Sequence, residues 1–88
     1  MAKKKRLSVA LITPQETVFE DQADMVVLPA WDGEVGILQG HAPMMALLGT
    51  GVMRVTRNGA EERFSVSGGF MQVADNVVSV LSEKAERR

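Results

Sequence analysis

Apolar side chains recur at every second position along most of this chain, while spacing of the helical kind is nearly absent, so the pattern predicts short β-strands. Leu7, Val9 and Leu11 alternate with Ser8, Ala10 and Ile12, and Thr13-Pro14-Gln15 closes this first strand because proline cannot extend a ladder. Residues 17–19 make a second short strand. After a polar turn at 21–24, Met25, Val26, Val27 and Leu28 form a continuous apolar run ending at Pro29, the signature of an interior strand. A further short strand is expected at 35–38. Residues 44–48 suit either a strand or a single helical turn.

The sharpest local signal is Asn58-Gly59, the dipeptide that best tolerates positive φ at both centres of a type I′ turn. It predicts a hairpin between residues 52–57 and 60–67. Asp75-Asn76 predicts another, between 70–74 and 77–81, and Gly68-Gly69 permits a sharp bend between the two hairpins. About nine or ten short strands do not lie in one flat sheet with both edges bare, so an all-β, flattened two-sheet β-sandwich or barrel is expected. Its limits read as a basic end at 1–6, the sandwich at 7–82 and a charged tail at 83–88.

With 88 residues the chain has room for one core. A domain of this size buries only roughly 60% of its unfolded surface, so a larger assembly adds to its stability. It has no cysteine, which removes disulfides and thiolate metal sites from consideration. The formal net charge is -1, and the basic residues do not interleave with aromatics, which argues against nucleic acid. Lys3, Lys4, Lys5 and Arg6 are not followed by the apolar stretch of a signal peptide, and no segment approaches the roughly 20 apolar residues of a membrane span. The basic end reads first as a solvated segment that aids solubility and second as a polybasic brush against anionic lipid.

One histidine, no cysteine and no tyrosine remove most nucleophile–base pairs and the usual multi-histidine metal sites. Asp32 and Glu34 remain as an imaginable acid–base pair, although two loop acids around a glycine explain them more simply. His41, beside Ala42-Pro43, reads as a structural loop histidine before it reads as a switch. Gly33, Gly36 and Gly40 do not follow a strand and open a helix, so they are bends and not a phosphate cradle. Trp31 is either core or an exposed aromatic anchor of the kind that dominates interfaces. Of the six methionines, Met25 and Met53 are expected to fill the core. Met44 and Met45 are adjacent, so in a strand they point to opposite sides and one is free for a partner. No catalytic residue, metal site or cofactor is expected.

Taken together, Leu28-Pro29-Ala30-Trp31-Asp32-Gly33-Glu34-Val35-Gly36-Ile37-Leu38-Gln39-Gly40-His41-Ala42-Pro43 is similar to the signature stretch of the epsilon subunits of bacterial F-type ATP synthases. Phe64-Ser65-Val66-Ser67-Gly68-Gly69-Phe70 and Asp75-Asn76-Val77-Val78-Ser79-Val80-Leu81 resemble that family's two other hallmark segments, in the same order and at similar spacing. The resemblance implies a flattened β-sandwich in a non-catalytic rotor subunit of a proton-translocating ATP synthase. Such a subunit packs on gamma and on the c ring and so couples them, peripheral at the cytoplasmic face of a bacterial plasma membrane. It also implies that the loop from 31 to 43 faces the ring through Trp31, Asp32, Glu34, Gln39, His41 and Pro43, and that Met44 and Met45 dock on gamma. Membrane contact is then indirect, through the complex, with no nucleotide site in this segment.

Two departures bear on that expectation. Gln39 stands where the family commonly has proline, which predicts a less rigid loop around His41. Most family members also continue into a C-terminal helical hairpin, so inhibition by insertion and ATP sensing are not expected of these 88 residues. Rival readings are a β-sandwich ligand binder with Trp31 and Met44 or Met45 around a pocket, and a hydrolase built on Asp32 and Glu34.

Overall fold

The computed structural model describes residues 6–88; Lys3, Lys4 and Lys5, and with them most of the basic end, lie outside the described residues. Eight strands account for nearly all of the rest: β1 Leu7–Ile12, β2 Thr17–Ala23, β3 Met25–Ala30, β4 Gly33–Leu38, β5 Met44–Leu47, β6 Thr50–Arg57, β7 Ala60–Ala74 and β8 Val77–Arg87. They are hydrogen-bonded in the order β2-β1-β8-β7-β6-β3-β4, with β5 added to β7. All pairings are antiparallel except β1 with β8.

One continuous sheet becomes two layers because β7 and β8 bend. The first half of β7 pairs with β6 from Arg57↔Ala60 to Thr50↔Ser67, and its second half pairs with β5 from Leu47↔Phe70 to Met44↔Val73. Gly68 and Gly69 stand at the junction with φ of 70° and 105°. Across them the buried positions change phase, from Phe64 and Val66 to Met71 and Val73. On β8 the same change separates Val78, Val80 and Ser82 from the half-buried Ala85. Both strands thus turn the same corner, and their two halves serve opposite layers, the device by which strands switch sheets. The first layer is β2, β1, the start of β8, the end of β7, and β5. The second is the end of β8, the start of β7, then β6, β3 and β4.

This geometry corrects the expected count of strands. Residues 60–67 and 70–74 are one strand of 15 residues, because Gly68-Gly69 bends the ladder without ending it. Residues 83–87 continue β8 instead of forming a charged tail. The turn expected at 21–24 shrinks to Asp24, since β2 runs to Ala23. Pro29 falls inside β3, and the ladder of β3 with β6 has already ended at Val27↔Arg54, so no partner waits for the N–H that proline lacks. Both predicted hairpin turns are present, with positive φ at Asn58 and Gly59 and at Asp75 and Asn76.

Between the layers lie Leu7, Leu11, Leu28, Ile37, Met53, Phe64 and Met71, all fully buried. Phe19 of the first layer meets Phe64 of the second with ring centroids 5.3 Å apart. At the open side between β2 and β6 the apolar contacts give way to charge. Arg57 bridges Asp21 of β2 and Glu62 of β7, Arg87 of β8 takes the other oxygen of Glu62 at 2.6 Å, and the two guanidiniums cover Phe19 and Phe64. This chain of alternating charges clamps the layers together where a side chain of either sign alone would be left unpaired.

Candidate docking surfaces

The loop predicted over residues 31–43 is two separate places. Trp31 and Asp32 form the two-residue tip of the β3–β4 hairpin, which closes with Ala30↔Gly33 and uses the φ of 136° at Gly33. The tip is anchored through its backbone, because the Trp31 N–H donates to the Leu47 carbonyl at 3.0 Å. Its indole is 70% exposed, which decides between core and surface in favour of surface. Asp32 and Glu34 are exposed beside it, and Glu34 accepts from Arg54 at 3.3 Å.

Gln39, Gly40 and His41 lie at the far end of β4, six residues and so about 20 Å away at roughly 3.3 Å per residue. There Gly40, with φ of 83°, donates its N–H to Asn76 Oδ1 at 2.7 Å, and His41 donates its N–H to the Leu38 carbonyl at 3.1 Å. His41 Nδ1 is 2.7 Å from the Ala42 carbonyl, a contact that fixes the proton on that nitrogen. His41 is therefore a neighbour of the β7–β8 turn and not of Asp32 and Glu34. Pro43 leads directly into β5. The strand expected at 35–38 is present and runs from Gly33, and it is this strand that divides the stretch grouped as one ring-facing loop.

Met44 and Met45 divide as their adjacency demands: Met44 packs half-buried against the core and Met45 is 67% exposed. Met45 is not alone. The register pairs Leu47 with Phe70, Phe70 with Leu81 and Leu81 with Ile12, an apolar row crossing β5, β7, β8 and β1 on the outer face of the first layer. Leu47 is 62% and Phe70 39% exposed. Met45, Ala46, Leu47 and Phe70 line an open depression of about 410 Å³. Sequence reasoning passed over Leu47, Phe70 and Leu81. The signal was there, since 44–48, 70–71 and 80–81 are apolar on both faces of their strands, which marks a face covered by something else.

A larger cleft of about 600 Å³ runs beside the second half of β8, bounded among others by Thr13, Glu16, Ser67 and Glu83. Trp31 lines neither of these two depressions. Among the described residues no group of three or more metal-ligating side chains converges. Two carboxyls of the interlayer clamp have shifted titrations. The Asp21 carboxyl is held below its usual range by the Gln22 amide and by Arg57, and Glu62 by hydrogen bonds from Arg87 and Arg57.

The fold is thus a two-layer sandwich with an exposed hairpin tip and an apolar row across the outer face of its first layer. The chain belongs to the family of the ATP synthase Delta/Epsilon chain beta-sandwich domain, whose model matches residues 6–88. It is 47% identical over 81 residues to the ATP synthase epsilon chain of Symbiobacterium thermophilum, covering 91% of this chain and 58% of that one. With the epsilon chain of Desulforamulus reducens it shares 45% over 87 residues, 99% of this chain and 64% of the relative. The chain thus spans about three fifths of the relatives it matches. Among solved structures it superposes on a chain of the Euglena gracilis mitochondrial ATP synthase OSCP/F1/c-ring assembly with a TM-score of 0.87 and 25% identity, covering 93% of this chain and 53% of that chain. A chain of the Tetrahymena thermophila central stalk and c ring gives 0.78 at 16% identity and supports the fold alone.

Proposed function

We propose that this chain is the sandwich portion of a non-catalytic rotor subunit of an F-type ATP synthase, gripping gamma with one face and the c ring with one end. The observation that carries the reading is the exposed row Leu47, Phe70, Leu81 with Met45 beside it, on a member of the epsilon family. Burying such side chains is worth about 1.5–3 kcal/mol each, enough for two or three to anchor an interface. This row is the gamma face, with Met45 rather than Met44 as its methionine. The ring end is the hairpin tip, with Trp31 as anchor and Asp32 and Glu34 as steering charges. Gln39, His41 and Pro43, about 20 Å off along β4, are outside that contact.

The mechanical logic follows from the stakes. A proton crossing the membrane delivers about 2.3 kcal/mol per 100 mV, and a contact that slipped would dissipate it without work. The bent β7 and β8, shared by both layers, make the gamma face and the sandwich one rigid piece. Attachment to the complex places the chain at the cytoplasmic face of a bacterial plasma membrane, as a peripheral component. The test is binding of the purified 88-residue protein to purified gamma at micromolar concentration. Binding that is lost in Leu47→Asp supports the proposal; no binding by the unaltered protein, or binding indifferent to Leu47, overturns it.

A further inference from the structure

The two halves of β8 have opposite local preferences. Val77, Val78, Val80 and Leu81 suit a strand, whereas Glu83, Lys84, Ala85, Glu86, Arg87 and Arg88 include no β-branched or aromatic residue and are all strong helix formers. Ser82, between them, is a favoured helix N-cap. Even so, the strand runs to Arg87. We infer that residues 83–88 are a bistable segment, held as the outer strand of the second layer by Arg87 and ready to leave it for a helix capped by Ser82.

The grip on this segment is narrow. β1 accompanies β8 only from Ser8↔Val77 to Ile12↔Leu81, so beyond Leu81 the strand has β7 as its one neighbour. Ala85 is half-buried, and Glu83, Lys84, Glu86 and Arg87 are exposed. Side-chain anchoring comes from Arg87, whose guanidinium is 2.6 Å from Glu62 and 4.9 Å above the Phe64 ring. Beyond it, the Arg88 N–H donates to the Arg63 carbonyl at 2.8 Å.

Departure leaves no charge stranded. Glu62 keeps Arg57 at 2.6 Å. Arg87 gains Glu83, four residues earlier and in the favourable order for a helical ion pair. Ser82 Oγ, which now accepts from the Ser67 N–H at 3.1 Å and donates to the Lys84 carbonyl at 2.6 Å, becomes the acceptor for the first free helical N–H groups. What opposes the change is length, since helices shorter than about 12–15 residues are marginal in water. The strand is therefore the resting state, and the helix needs a surface or further helical chain to grow against. Its release uncovers Phe64 and the edge of β7 from 63 to 67. This inference stands independently of the proposed rotor role.

Amide exchange followed by NMR on the 88-residue protein tests it. The amides of 84–88 are expected to exchange at least about 100-fold faster than those of Val78 and Val80, through local opening rather than global unfolding. Arg87→Ala raises that exchange about tenfold more with Val78 unchanged, and Ala85→Val, a better strand residue, slows it. In low trifluoroethanol the Cα shifts of 83–88 move toward helical values while Phe64 and Val78 keep strand values. Protection of 84–88 equal to that of Val78 overturns the inference, as does an Arg87→Ala protein whose segment shows no helical shift before the whole domain unfolds.

Discussion

A Cβ placed on Gly69 would stand 1.8 Å from the Leu81 carbonyl oxygen, on the neighbouring strand of the corner where β7 and β8 turn together. With φ of 105° the residue is also in a region that side chains resist. Gly69→Ala therefore has to move backbone in two strands at once. It should cost at least about 2 kcal/mol, a large fraction of the net stability of a small domain. Gly59→Ala, at φ of 80° but with nothing within 4 Å, should cost only about 1 kcal/mol. Urea midpoints measure both, and equal losses would show that the corner tolerates a side chain.

Asn58 sits at φ of 50° and donates its N–H to Asp24 Oδ2 at 3.0 Å, tying the β6–β7 turn to the β2–β3 link. Asn58→Val keeps the N–H but forces a β-branched residue into the left-handed region. A loss of about 1–2 kcal/mol is expected. Asn58→Gly should stay within about 0.5 kcal/mol of the parent. A thermal melt of the Val variant indistinguishable from the parent would remove the turn from the list of stabilising features.

The interlayer clamp predicts a pH dependence whose sign is fixed. Asp21 and Glu62 titrate below their ordinary values in the folded protein, Asp21 first through the Gln22 amide and Glu62 first through Arg87. Depressed carboxylates stabilise the fold above their unfolded values of about 3.9 and 4.3, and that contribution is lost as pH falls through the lower folded values. The urea midpoint should be level from about pH 8 to 6 and fall below about pH 5. Glu62→Gln should lower the midpoint at neutral pH and make the acid fall shallower. An acid limb as steep in the variant as in the parent would mean that the clamp is not its source.

The fold was legible where a residue dictates its own backbone. Asn58-Gly59 and Asp75-Asn76 set two turns, and the alternation at Leu7, Val9 and Leu11 set which side of β1 is buried. What was misread depends on neighbours far away in sequence. Residues 83–87 are strand because Glu62 and Phe64 hold Arg87, although every local preference points to helix. The candidate site failed in the same way. A strand at 35–38 was expected, yet Trp31 and His41 were still grouped in one ring-facing loop, and only its extension to Gly33 in the pairing with β3 shows how far apart the strand holds them. Leu47, Phe70 and Leu81 were overlooked because the apolar pairs at 44–48, 70–71 and 80–81 join into one row only when four strands lie side by side.

At the hairpin tip, charge and structure separate cleanly. Glu34 is exposed, and its pair with Arg54 at 3.3 Å is worth about 0–1 kcal/mol, so Glu34→Lys should leave the melting temperature within a few degrees. Attachment to a purified c ring should weaken about tenfold at low salt, and the difference should shrink as salt screens it. His41→Ala should leave ring affinity unchanged, since His41 occupies the other end of β4. Ring binding that responds to His41 and not to Glu34 would reverse the assignment of ends.

Leu47 gives the complementary experiment, because its structural task belongs to its backbone. The Leu47 carbonyl accepts from the Trp31 N–H at 3.0 Å whatever the side chain is, and the side chain itself faces solvent over β5. Leu47→Asp should therefore fold normally. Against gamma it removes a buried apolar contact worth about 1.5–3 kcal/mol, which is about 10- to 100-fold in affinity, and adds the cost of desolvating a carboxylate. Unlike the Glu34 effect, this loss should persist at high salt, because apolar burial is not screened. Titration of gamma at two ionic strengths separates the two. A Leu47→Asp defect that vanished at high salt would mean that gamma is held by charge and that the apolar row faces something else.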